Sequence, residues 1–136
     1  MNATLAYDRQ MGDLVWSIMT GLLAAYSLPQ VIEAISLEAP EPTASAFKRL
    51  HAELTSGLPL EQGLANLIKA VPSKHLAQVV AVIEEQRKSG GNLAWLLAPL
   101  ADEILKQAPS DGSFYPAMRR EAANLGASLP DRAREK

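Results

Sequence analysis

The chain predicts an all-α fold, a compact bundle of about six antiparallel helices, and three observations carry that expectation. Apolar residues fill 48% of its 136 positions, enough to close one core, while aromatics supply only 5%. The aliphatics are mainly Leu and Ala, which favour helix over strand. Apolar positions recur at steps of three and four, and Pro, Gly, Ser and Asn interrupt the pattern where helices would start and stop.

In the first helix, Leu5 to Ala25, the recurring residues are Val15, Ile18, Met19, Leu22 and, just beyond, Tyr26. Ser27 then opens a second, with Pro29 in its first turn and Gln30 three positions on, the pattern of a capping box. Its inward stripe is Val31, Ile32 and Ile35. Pro40 and Pro42 end it, because Pro lacks the interior N–H and pushes its predecessor out of the helical region. A third helix, about Thr43 to Thr55, is expected to bury Phe47, Leu50 and Leu54.

Gly57 stops that helix and Pro59 opens a fourth, with Leu60, Leu64, Leu67 and Ile68 along one side. Val71-Pro72-Ser73 closes it and caps a fifth, about Lys74 to Ser89, in which Leu76, Val79, Val80 and Ile83 face inward and Glu84, Glu85, Arg87 and Lys88 cluster beyond them. Gly90, Gly91 and Asn92 then form a corner, since Gly tolerates the left-handed end of a helix and Asn is a strong N-cap. The sixth helix follows with Leu93, Leu97, Leu100 and Ile104 expected inward and a bend near Pro99.

The corners repeat. Ala25-Tyr-Ser-Leu28, Gly57-Leu-Pro-Leu60 and Gly90-Gly-Asn-Leu93 superpose at spacings of 32 and 33 residues, and each continues with aliphatics four and seven positions after its Leu. A period of this size suggests either stacked helical hairpins or a bundle of similar hairpins. The tetratricopeptide pattern of Trp, Gly, Tyr and Pro is absent, which puts the compact bundle first.

Residues 1–105 read as the helical domain and 106–136 as a polar linker with a short C-terminal helix from Pro116 that carries Met118, Ala122 and Leu125 on one side. The first part holds 7 positive and 11 negative side chains and the second 6 and 4, so the tail is mildly basic. A net charge of −2 offers no basic face for nucleic acid. With no Cys there is no disulfide and no thiolate chemistry, which fits the cytoplasm. Asp8 and Asp13 stand where a signal peptide would be basic, and the longest apolar stretch, Leu14 to Tyr26, is about half a membrane span.

No catalytic constellation is evident, so the chain is read as non-enzymatic, with neither cofactor nor metal. His51 and His75 lack a partner at ligand spacing and are expected at the surface or its boundary. Glu84 with Glu85, and Asp102 with Glu103, diverge around their helices and read as solvated acidic faces in preference to a divalent-cation site. Ser89-Gly90-Gly91-Asn92 lacks the spacing of a phosphate loop. Function is therefore expected on the surface. Trp95 lies off the inward stripe, as a second-face core residue or a contact anchor, with Arg87 and Glu84 as further candidate contacts; Trp16 leans to the core.

Ala25-Tyr-Ser-Leu-Pro-Gln-Val-Ile32, Phe47-Lys-Arg-Leu50, Gly57-Leu-Pro-Leu-Glu-Gln-Gly-Leu64, Val71-Pro-Ser73 and Gln86-Arg-Lys-Ser-Gly-Gly-Asn-Leu93 resemble, in order and spacing, the cytoplasmic domain of type II secretion system F proteins, closest to the TadB and TadC branch of the tight-adherence pilus machinery. The resemblance covers about Asp13 to Leu105. It implies a compact bundle of about six helices and a non-enzymatic, self-associating platform component that couples a hexameric secretion ATPase to pilin movement at the inner membrane. Gly57, Gly90, Gly91 and Asn92 match corner-shaping positions of the family, so the resemblance gives them structural roles. The chain departs from the pattern at Ala25, where the family usually has Gly, and in lacking flanking transmembrane segments; its own tail favours a stand-alone relative. The expected partners are the secretion ATPase, a membrane platform paralogue and a second copy of the chain, in the cytoplasm or at the inner face of the bacterial inner membrane. The alternative is a helical-repeat adaptor unrelated to secretion, which the repeat alone would support.

Overall fold

The computed structural model describes residues 3–110 together with Gly112 and Phe114. Six helices succeed one another: α1 (Ala3–Leu23), α2 (Leu28–Glu38), α3 (Thr43–Thr55), α4 (Leu60–Ala70), α5 (Lys74–Ser89) and α6 (Leu93–Gln107). There is no strand among the described residues. The short helix expected from Pro116 lies outside them.

Each helix packs on its successor, and α6 returns onto α1, so the hairpins close into a ring. That closure separates the fold from an open stack of repeats with a concave groove. α1 and α6 run antiparallel: Leu105, near the end of α6, seats on Gly12 at the middle of α1, whereas Ala94 and Ala98 lie beside Met19 and Leu23 near the end of α1. On the α2 side Val31 seats on Gly21, where an added Cβ would stand 2.6 Å from Val31 Cγ2. The core inside the ring draws on every helix, with Leu14 and Ile18, Ile32, Phe47 and Leu50, Leu64, Leu76 and Val79, and Leu97 and Ile104 all buried.

Local chemistry sets the helix boundaries. Ser27 accepts the Gln30 N–H at 3.3 Å while Gln30 Oε1 accepts the Ser27 N–H at 2.8 Å, a complete capping box. Ser73 caps α5 by accepting from Leu76 N, and Asn92 caps α6 by accepting from Trp95 N at 3.1 Å. The ends of α1 and α3 are built alike. Tyr26 N–H donates to Gly21 O and Ala25 N–H to Leu22 O; Leu58 N–H donates to Glu53 O and Gly57 N–H to Leu54 O. These are two Schellman motifs, with positive φ at Ala25 (72°) and Gly57 (105°). The repeat seen in the sequence is thus a repeat of helix terminators and caps.

Polar residues of α1 tie distant corners to it. Ser73 Oγ, the α5 cap, donates to Asp8 Oδ1 at 2.7 Å. Gln10 Nε2 donates to the Glu41 carbonyl at 2.9 Å, and its Oε1 accepts from Thr43 Oγ1 at the start of α3. Ser110, beyond α6, donates to Asp13. The stretch after α6 crosses α1 at that point and sets Phe114, 1% exposed, against Ser17 of α1 and Val31, Ala34 and Ile35 of α2. A hydroxyl or carboxylate buried without partners is costly, so these pairings fix where each corner docks.

Two expectations are corrected. On α6 the buried positions are Ala94, Leu97, Ala101 and Ile104, while Leu93 and Leu100 are half-buried. Close approach of α1 places the small side chains inward and displaces the larger ones to the flank. His75 is not at the surface: it is 4% exposed in the first turn of α5, with Nδ1 3.4 Å from Gln78 Oε1. His51 is at the boundary as expected, and its Nε2 lies 4.0 Å from Glu33 of α2. α6 runs unbroken through Pro99.

Candidate functional site

The α5–α6 corner is where the candidate residues concentrate. Gly90 ends α5 at φ 83°, ψ −166°, a region that side-chain-bearing residues hardly enter, and Gly91 follows at φ 101°. The corner lacks the Schellman bonds of the other two. Instead Gln86 Nε2 donates to the Gly91 carbonyl at 3.0 Å, reaching forward from the last turn of α5. Asn92 then caps Trp95 N, and this fixes the residue that the corner presents.

Trp95 is 74% exposed, which rules out the second-face core reading and leaves the contact reading standing. It does not stand alone. Together with Met19, Leu23, Ala94 and Ala98 it lines a shallow apolar depression of about 220 Å³ between α1 and α6, and Leu23 is itself 59% exposed. Leu96, on the next position of α6, is also exposed. A large aromatic beside an exposed Leu is the composition of a contact anchor, since most of its area is still available for burial. Trp16 is half-buried and packs against the core.

Glu84 and Arg87 are not among the residues that line this depression. They pair with each other on α5 at 3.5 Å. Asp102 is likewise matched by Lys106 at 3.3 Å. The acidic faces thus carry basic residues one turn further on, and among the described residues no three His, Asp or Glu side chains converge in a metal-binding group. Ser, His and carboxylate side chains form no nucleophile–base arrangement here; the surface is suited to receiving an apolar side chain and has no reactive group at its centre. No helix among the described residues is long and apolar enough to cross a membrane.

The sequence reading singled out Trp95 but missed Leu23 as its neighbour. The signal was present in part: Leu23 stands four positions after Met19, at the edge of the Val15, Ile18, Met19, Leu22 stripe. Its pairing with Trp95 depends on α6 returning to α1, which no local pattern announces.

A family model for the type II secretion system (T2SS), protein F, matches residues 17–126. Comparison with curated proteins and with solved structures gives no match.

Proposed function

Because the chain belongs to the type II secretion system protein F family, we propose that it acts as a non-enzymatic protein-interaction module of a bacterial type II secretion or tight-adherence and type IV pilus assembly system. The match across residues 17–126 is the observation that carries this reading. Its partners are the secretion ATPase and a membrane platform paralogue, with self-association as a further mode, and it works in the cytoplasm at the inner face of the inner membrane.

Trp95 is the proposed anchor of the contact, supported by its exposure beside Leu23. Arg87 and the partly buried Glu84, paired with each other on α5, are the further proposed contacts. Gly57, Gly90 and Gly91 act through the backbone and Asn92 through its capping side chain, holding the corners from which the helices depart. Residues 1–105 form the working bundle, and the polar stretch from residue 106 is its extension. The test is capture from the native cells with the tagged chain as bait. Recovery of a secretion ATPase or platform protein is expected, and recovery of neither from cells that express both would contradict the reading.

A further inference from the structure

The chain continues for 22 residues beyond Phe114, and two contacts ahead of that stretch set its direction. Ser110 is held at Asp13 and Phe114 lies against Ser17, so the chain after α6 advances along α1 toward the end where Met19 and Leu23 line the depression beside Trp95. Leu23 is six residues past Ser17, about 9 Å along the helix. The chain from Phe114 to Met118 spans up to about 14 Å, enough for that rise together with the step around α1 to its α6 side.

Pattern and charge point to the same place. Met118, Ala122 and Leu125 recur at steps of four and three, with Pro116 two positions ahead of them and Gly126 directly after, the punctuation of a short helix with one apolar stripe. The family match runs to residue 126 and takes in all three. Residues 115–136 carry five positive and three negative side chains, against 7 and 11 in residues 1–105. On the face of α6 that holds Trp95 and Ala98, the next charge is the exposed Asp102, with Glu103 beside it. Arg119 and Arg120 directly follow Met118.

We propose that residues 116–125 of this same chain occupy the α1–α6 depression. Met118 enters between Leu23 and Trp95, where its unbranched, adaptable side chain suits a shallow apolar site. Ala122 and Leu125 extend the contact, and Arg119 and Arg120 turn to the acidic side of α6. The segment thereby competes with a protein partner for Trp95; occupancy nine-tenths of the time would weaken the partner's binding about tenfold. The competition rests on the reading of Trp95 as a docking surface, whereas the contact within the chain does not.

The experiment places a nitroxide on Ser128→Cys in the full chain, which has no other Cys. NMR line broadening is read at the Trp95 indole N–H and the Leu23 methyls, and for comparison at Leu37, the exposed leucine of α2. Broadening is expected to be strongest at Trp95 and Leu23, and to be relieved by Met118→Asp combined with Leu125→Asp, since a carboxylate is costly in an apolar contact. Unchanged methyl shifts of the buried Val79 and Leu97 verify that the bundle is intact in that variant. A mixture of isotope-labelled chain without nitroxide and nitroxide-bearing chain without isotope is expected to show no broadening at these sites. Four results would overturn the proposal: no broadening at Trp95 and Leu23, strongest broadening at Leu37, broadening that persists in the double variant, or equal broadening in the mixture, which would make the occupant a second copy. No secretion partner is present, so failure here and failure to capture a partner are separate results. For a partner that the parent binds, the double variant should bind about tenfold more tightly, and equal affinity would overturn the competition.

Discussion

Gln86 and Gly91 are joined across the α5–α6 corner by a 3.0 Å hydrogen bond from the Gln86 amide to the Gly91 carbonyl. This bond closes a turn whose two glycines adopt positive φ and which has no Schellman bond of the kind that ends α1 and α3. A glutamine four positions ahead of a Gly-Gly pair thereby has a physical role: it holds the carbonyl that the unusual backbone turns outward.

The cost of altering this corner should be conformational. A Cβ on Gly90 would meet nothing within 4 Å, and one on Gly91 would meet only Leu96 Cδ1 at an ordinary 3.7 Å. Gly90→Ala and Gly91→Val are each expected to lose about 1–3 kcal/mol of unfolding free energy through backbone strain, and Gln86→Ala about 0.5–1 kcal/mol. Urea denaturation of the three variants checks this. Strain at Gly90 would be disproved by an alanine variant as stable as the parent.

Ala25 occupies the same Schellman position as Gly57, with φ 72° and a side chain that prefers negative φ. Ala25→Gly should therefore stabilise the fold, by about 1 kcal/mol, the reverse of the usual effect of placing Gly in a chain. A rise in the thermal midpoint is the expected result.

How much of this was legible beforehand divides along sequence separation. The terminators and caps at Ser27, Gly57, Ser73, Gly90 and Asn92 were readable because each is set by residues within a few positions of itself. Asp8 with Ser73, and Gln10 with Thr43, were not readable, since a polar residue in α1 carries no mark of the corner it will meet. Burial of His75 follows from its place beside Leu76 in a first turn that packs inward, and hydropathy alone assigns it to the surface. On α6, Leu97 and Ile104 are buried as expected, whereas Ala94 and Ala101 were passed over for the half-buried Leu93 and Leu100, because apolarity ranks Leu above Ala and a close helix contact ranks by size.

Phe114 tests the stretch after α6. Its composition reads as linker, yet the phenyl ring is buried between α1 and α2, and Ser110 is held by Asp13. Phe114→Ala is expected to destabilise the chain by about 3 kcal/mol, the cost of emptying a phenyl site in a core. Chemical denaturation measures it. A loss within about 0.5 kcal/mol, typical of surface substitutions, would show that the ring contributes no core packing.

The proposed role depends on Trp95 more than on any other side chain. Direct binding of the purified chain to the secretion ATPase and to the platform paralogue of the same cells, compared between the parent and Trp95→Ala, is the measurement that tests it most directly. Trp95 is exposed, so the substitution leaves the core unaltered. The account predicts binding of at least one of the two by the parent, weakened about 30-fold or more by Trp95→Ala, as removal of an aromatic hot spot worth about 2 kcal/mol implies. Absence of binding to both, or equal affinity of parent and variant, would contradict it.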